Sequence, residues 1–262
     1  MTSLKTAFER DGYAYPFRVL DPDEASEAAS GYDRFQQRAR KIFGEQQRFK
    51  AHLLVGWMDR IVHHPKLLDV VEDILGPDIL CWSSDFFVKK AHDPGFVSFH
   101  QDTTYAGLEP FDGILNCWLA LTPSRKENGC LRVLPGTHKL GQLDHETTSS
   151  EANMLFFGQT AQIDVDERDV VDMELEPGEM SLHHMAVVHG SQPNRSDTPR
   201  LGVVLRYIRP DVRQIKARDS ATLVHGTDRH GHFDLEPRPE ADWSDAAIVA
   251  FKDAINRPSA LG

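Results

Sequence analysis

Chemistry in this chain begins at His100-Gln101-Asp102, an imidazole and a carboxylate two positions apart at the end of the strand-like run Phe96-Val97-Ser98-Phe99. Residues i and i+2 of an extended strand share a face, so the two side chains are expected to converge on one point, as adjacent ligands of a metal must. A further histidine, His189, closes the apolar run that starts at Met180, and Arg200 follows it. One carboxylate with two imidazoles on one side of a metal leaves coordination positions open, which suits non-haem Fe(II) handling O2 and a bidentate co-substrate. A guanidinium held nearby matches the two oxygens of a distal carboxylate. Taken singly, His100 reads as a hydrogen-bonded strand histidine, Asp102 as a turn-opening acid before Thr103-Thr104, and Arg200 as a surface arginine. Only the set points to a metal site, because isolated short motifs recur by chance.

The elements that must position these groups change character along the chain. The first third reads as helical: Leu4, Ala7 and Phe8 recur at helical intervals, Asp21-Pro22-Asp23-Glu24 has the cap, proline and acids of a helix start, and 64–75 is amphipathic and stopped by Gly76-Pro77. From Ile79 onward short β-rich runs alternate with Gly, Pro, Asn and Asp turns: Ile79-Leu80-Cys81-Trp82, Phe86-Phe87-Val88, Ile114 to Leu121, Cys130 to Leu134, Val170 to Leu175, Met180 to His189 and Leu201 to Ile208. This predicts a mainly β fold, an antiparallel sandwich or barrel, flanked by N-terminal helices. The polar stretch 141–169 reads as a long insertion over one face, placed to act as a lid. With no repeat and no linker, 1–262 is expected to be one domain: helices over about 1–77, a β core over about 78–210 and a C-terminal tail over 211–262.

Composition narrows the partners. Forty acidic residues against 29 basic ones give a formal charge of −11, which repels phosphate backbones and anionic lipid surfaces, so neither nucleic acid nor membrane is an expected partner. No apolar run approaches the roughly 20 residues that span a bilayer, and the first residues lack the apolar core of a signal peptide. Cys81, Cys117 and Cys130 are an odd set without CxxC spacing, consistent with reduced thiols and a cytoplasmic location. Thirteen histidines are many, yet most must be packing or surface residues.

The blocks Phe99-His100-Gln101-Asp102, Asn116-Cys117-Trp118-Leu119-Ala120-Leu121, Asn128-Gly129-Cys130-Leu131-Arg132-Val133-Leu134-Pro135-Gly136-Thr137-His138, His189-Gly190-Ser191 and Asn194-Arg195-Ser196 with Arg200 occur in order. In these the chain, from about Phe8 to Ile208, resembles the phytanoyl-CoA dioxygenase family of Fe(II)- and 2-oxoglutarate-dependent oxygenases. The resemblance implies a double-stranded β-helix (jelly roll, cupin-like), with His100, Asp102 and His189 as iron ligands. It implies that Arg200 and the Ser191 hydroxyl take the distal carboxylate of 2-oxoglutarate, that Trp118 lines the same pocket, and that O2 is consumed with release of succinate and CO2. Because Asp102 fills the position that related halogenases leave to chloride, hydroxylation is favoured over chlorination. His183 and His184 compete with His189 for the third ligand position; Gly190-Ser191 and the spacing to Arg200 favour His189. If the strand is regular, His183 lies on its face and His184 on the opposite one.

A small-molecule substrate, acid-like or amino-acid-like, is expected, and a homo-oligomer is allowed. Its contacts are expected from the segment before His100-Gln101-Asp102, Thr103-Thr104-Tyr105, the 141–169 insertion and the 223–229 stretch, with Phe86, Tyr105 and Phe157 as an apolar wall and Lys89, Lys90 and Arg206 available to an anion. Three rival readings stand beside the oxygenase. A non-catalytic 2-oxoglutarate or metal sensor would keep the pocket and lose turnover. A nucleic-acid demethylase would use the Arg200–Arg206 spacing but needs a basic face the composition does not show. A zinc hydrolase would leave Arg200 without a role.

Overall fold

Strand alternation decides the architecture. Along Ile114–Ala120 every residue is buried, because successive side chains enter different cores: Leu115, Cys117 and Leu119 pack beneath the helices, while Trp118 and Ala120 pack against a second sheet. The computed structural model, describing residues 3–155 and 158–257, therefore has three layers: helices, a large sheet and a small sheet. Phe157 lies outside the described residues.

The large sheet has the spatial order Tyr13–Arg18, Glu179–His184, Ile114–Ala120, Arg200–Ile208, Ile79–Lys89, Asp219–His225, Phe233–Leu235, antiparallel except for its last pair. The small sheet runs Val97–His100, His189–Ser191, Leu131–Val133, Val171–Met173, antiparallel throughout. The two face each other without closing into a barrel, and Trp118 and Val204 from one meet Leu131, Val133 and Met173 from the other between them. This is the jelly-roll architecture expected.

On the outer face of the large sheet, helix Pro22–Phe43 starts at Asp21, whose carboxylate accepts from the Asp23 and Glu24 amides at 3.0 and 2.9 Å while Glu24 returns a bond to the Asp21 amide. Helix Pro65–Leu75 buries Leu67, Leu68, Val71 and Leu75 and ends at Gly76, as its sequence predicts.

Three features differ from the expectation. The helical first third contains a strand, Tyr13–Arg18, paired with Glu179–His184. Gly12, at φ 79°, ends the first helix and turns the chain into it; a six-residue aromatic alternation is hidden beside stronger helical patterns. The run 180–189 is two strands in different sheets, Glu179–His184 and His189–Ser191, so the chain crosses the sandwich at 185–188. The tail supplies two strands of the large sheet and the helix Asp245–Ile255, whose Phe251 is buried in the main core.

The tail is also fastened by charge. Glu236 pairs with Lys50, both almost fully buried, and accepts from Ser220 and Thr222 hydroxyls at 2.7 Å each. Burial pushes its carboxyl up, but Lys50 and His52 together outweigh this and hold it well below the usual carboxylate range. Its contribution is therefore full above the unfolded carboxylate pKa and lost only as strong acid protonates it. Glu236→Ala is expected to cost about 3 kcal/mol, because the Lys50 ammonium is left buried and unpaired. The midpoint of chemical denaturation reads this; an unchanged midpoint would show that the pair contributes nothing.

Candidate active site

His100 and His189 stand directly opposite one another on paired strands of the small sheet, so their rings lie 4.2 Å apart between centroids. Asp102 reaches them differently from the expectation. The strand Val97–His100 ends at His100, and Asp102 sits in a helical turn at the start of Thr103–Ala106. The turn, not strand alternation, brings the carboxylate round, and its amide donates to Met185 O at 3.1 Å across the crossover. All three side chains are buried, and one donor atom from each lies within 4.8 Å of the others.

The hydrogen bonds fix which atoms face inward. His100 Nδ1 lies 2.9 Å from Ser98 O and 3.1 Å from His189 O, and His189 Nδ1 lies 3.0 Å from Val187 O. Carbonyls only accept, so both Nδ1 atoms carry the proton and both Nε2 atoms present lone pairs. Those Nε2 atoms stand 3.1 and 3.8 Å from the same oxygen, Oδ1 of Asp102. With the imidazoles neutral, three acceptors turn on one another, and this N/O donor set with open positions fits a divalent transition metal. Burial, reinforced by His100, pushes His189 down to about 4, so it is neutral, the ligating form, at neutral pH. Burial pushes the Asp102 carboxyl up, but His189, His100 and Arg206 together hold it well below its ordinary range.

The sequence reading did not assign two side chains, Asn116 and Tyr105, to the positioning of Asp102. Asn116 Nδ2 donates to Asp102 Oδ2 at 2.8 Å, and Tyr105 donates its hydroxyl to Oδ1. Asn116 precedes Trp118 by two on one strand, a spacing that could have flagged it as facing the same side. Such outer partners orient a ligating carboxylate.

The inward face of the large sheet is laid out in rows by its register. His183, Asn116, Arg206 and Ser83 are mutually paired across four strands; Trp118, Val204 and Asp85 form the next row, Gly202 and Phe87 the next, and Arg200 and Lys89 the last. Gly202 is required there, because a Cβ would meet the Trp118 ring at 2.2 Å. The rows face a cavity lined by the three donors, Trp118, Ser191 and Arg200.

At its far end two cations stand without a carboxylate partner among the described residues. Arg200 is buried, donates to Gly129 O, lies 5.1 Å from the Trp118 ring and leaves Nε unbonded. Lys89 donates to Ser191 Oγ at 2.7 Å and to Gln192 O. Burial lowers Arg200 to about 10, and burial with Arg200 beside it lowers Lys89 to about 7. Lys89 was expected to serve the substrate; its place is instead beside Ser191 and Arg200.

Other substrate-contact expectations divide. Tyr105 lines the cavity, and so does Leu155 of the insertion, whose His145 Nε2 accepts from the Gln101 amide at 3.1 Å. Phe86 does not: it packs on the helix side against Tyr32 and Phe35, and its neighbour Phe87 faces the cavity, as alternation requires. Lys90 is exposed, and Arg206 is committed to Asp85. The 223–229 stretch binds Pro77 and Asp78 on another side of the molecule. His183 lines the cavity from the large sheet, its ring 4.6 Å from that of His189, whereas His184 packs against Phe8 and His138.

Comparison with known proteins bears on this arrangement. The chain is 36% identical to a non-heme monooxygenase, ThoJ in its apo form, with TM-score 0.88 over 97% of this chain and 95% of that one. Its fold also matches CytC3 with Fe(II) and alpha-ketoglutarate, at 24% identity and TM-score 0.69 over 90% and 93% of the two chains. A probable phytanoyl-CoA dioxygenase of Caenorhabditis elegans is 30% identical over 159 residues, 57% of this chain and 50% of the nematode protein. The peroxisomal phytanoyl-CoA dioxygenase of Homo sapiens is 29% identical over 163 residues, 60% and 47% of the two. The matched segments thus span about half the length of these curated relatives. Residues 8–202, which contain the three donors, Ser191 and Arg200, match the family described as Phytanoyl-CoA dioxygenase (PhyH), and the chain belongs to that family.

Proposed function

We propose that the protein is a non-haem Fe(II)- and 2-oxoglutarate-dependent dioxygenase that hydroxylates a small molecule in the cytoplasm, releasing succinate and CO2. The observation that carries this reading is the pairing of two features in one cavity: three inward acceptors on His100, Asp102 and His189, and two carboxylate-free cations, Arg200 and Lys89, at its far end. Fe(II), held by the three donors, supplies O2 activation coupled to decarboxylation of 2-oxoglutarate. The chain supplies the rest. Arg200 and Lys89 neutralise the distal carboxylate, Ser191 accepts from Lys89 and holds that ammonium in place, and the Trp118 ring walls the co-substrate. Asn116 and Tyr105 keep Asp102 turned toward the imidazoles. The free, buried state of all three cysteines supports a reducing compartment.

The direct test is anaerobic addition of Fe(II) and 2-oxoglutarate, which should give the weak visible charge-transfer band of the chelate. Loss of the band in His189→Ala and its weakening in Arg200→Ala are expected; an unchanged band in both refutes the assignment. Substrate-stimulated succinate release separates an enzyme from a sensor.

A pH dependence follows from Lys89. A dianion beside an ammonium whose pKa lies at about 7 favours its protonated form, so binding draws in a proton above that pH. The affinity for 2-oxoglutarate is expected to weaken as pH rises above 7, by at most about tenfold per unit. Lys89→Met should bind more weakly with the slope removed. Calorimetry on the Mn(II)-loaded protein measures both; a wild-type slope that persists in Lys89→Met removes Lys89 from the site.

A further inference from the structure

The cavity carries more positive charge than its metal and co-substrate account for. Arg48, Lys89, Arg200 and Arg206 lie in or against its walls, and among the described residues three carboxylates oppose them: Asp85, Asp102 and Asp93, the last acting on Lys89 and Arg200. A bound dication and the dianion 2-oxoglutarate cancel each other, so this surplus persists in the loaded site. It sits inside a chain whose formal charge is −11, and is therefore local.

The surplus has a location. Arg206 ion-pairs with Asp85 Oδ2, which also accepts from the Ser83 hydroxyl, while Asp85 Oδ1 has no hydrogen-bond partner and attracts Arg48 from beyond ion-pair distance. Arg200 and Lys89 stand at the co-substrate end. Arg48 is left: its guanidinium lies 3.9 Å from the centroid of the Phe87 ring, which lines the cavity, its Nε has no hydrogen-bond partner, and no carboxylate approaches it within 4.0 Å among the described residues. A half-buried guanidinium with a free donor is costly unless something completes it.

Its position is held by backbone on both sides. Arg48 O accepts from the Phe86 amide at 3.1 Å, Phe49 bridges to Asp85, and the Lys50 amide donates to Ser84 O at 2.8 Å. Lys50, in the left-handed region at φ 48°, is tied in turn to Glu236. The backbone that carries the cation is thus anchored on both sides, and the guanidinium lies over the Phe87 ring.

We infer that the molecule to be oxidised is a small anion whose carboxylate pairs with Arg48 at the Phe87 wall. The oxygenase reading supplies the other occupants of the cavity, and the anion site stands on Arg48, Phe87 and the charge surplus. Stacked on Phe87, the guanidinium presents its remaining N–H edge to a planar carboxylate, and the body of the anion extends along the ring toward the metal donors. His183, buried with Nδ1 unbonded on the facing end of the Asn116 row, is available to a second polar group of the same molecule.

The test uses phenylacetate and its neutral isostere phenylacetamide as probes, titrated calorimetrically into the Mn(II)-loaded protein saturated with 2-oxoglutarate, so that Arg200 is already occupied. Wild type is expected to bind phenylacetate saturably and phenylacetamide about tenfold or more weakly, the scale of one charge-assisted hydrogen-bonded pair. Arg48→Met should lose about tenfold or more for phenylacetate, with 2-oxoglutarate affinity within about twofold, and Arg48→Lys should recover part of it. Absence of saturable phenylacetate binding to wild type, equal affinity for the two probes, or unchanged affinity in Arg48→Met each overturns the inference. Should 2-oxoglutarate itself fail to bind while phenylacetate still binds through Arg48, the oxygenase reading falls and the anion site remains.

Discussion

Asp102→Ala is expected to lower substrate-coupled succinate formation by at least ~10³-fold, since removing a ligand of the Lewis acid forfeits several kcal/mol at about 1.4 kcal/mol per decade. The loss should appear first as lost metal. With the carboxylate gone, two neutral imidazoles remain, and they cannot balance a dication in a buried site. Asn116, Tyr105 and Arg206 would also lose the acceptor they now face. Metal content after dialysis, measured by elemental analysis, should therefore fall together with turnover. Asp102→Glu is the informative companion. It keeps the charge but lengthens the arm that the turn at 101–103 has set, so it should retain partial metal with little turnover. A variant that loses metal yet turns over normally with added Fe(II) would place the ligand set elsewhere.

Arg200→Ala is expected to raise the KM for 2-oxoglutarate about 10²–10³-fold, because truncating one partner of a buried charge pair costs 2–5 kcal/mol. Metal content should stay at the wild-type level, since Arg200 lies at the opposite end of the cavity from Asp102, three register rows beyond Asn116 and Arg206. That separation distinguishes the two variants: one loses metal, the other loses co-substrate. Lys89 alone should not rescue the site, for its ammonium is a point charge already shared with Ser191 and Gln192 O. Arg200→Lys should recover part of the affinity. A KM unchanged within twofold would detach Arg200 from the co-substrate.

Much of the fold was legible because β-sandwich strands buried on both faces read as apolar runs, and seven such runs occur between Ile79 and Ile208 in the right company of turns. The strand Tyr13–Arg18 was not legible, since six residues with a proline among them carry little periodic signal beside two strong helices. Nor was the break at 185–188. Met185, Ala186, Val187 and Val188 are all buried and apolar, so nothing in their hydropathy marks a crossing between sheets. That crossing is why His183 and His189 reach one cavity from opposite sides and not along one strand face.

The linear order of residues suffices to suggest the chemistry here. It does so through the resemblance of its motif blocks to a known family, which implies the roles of His100, Asp102, His189, Ser191 and Arg200; their spacing alone left other readings open. Which charges remain unspent is a different kind of fact. Arg206 and Lys89 looked free for substrate until folding set Asp85 against one and Ser191 beside the other, while Arg48, in no motif, emerged beside Phe87 without a partner. Side-chain type is written locally, but the pairing of charges depends on distances between strands far apart in the chain, and Coulomb energy is settled only once those distances exist.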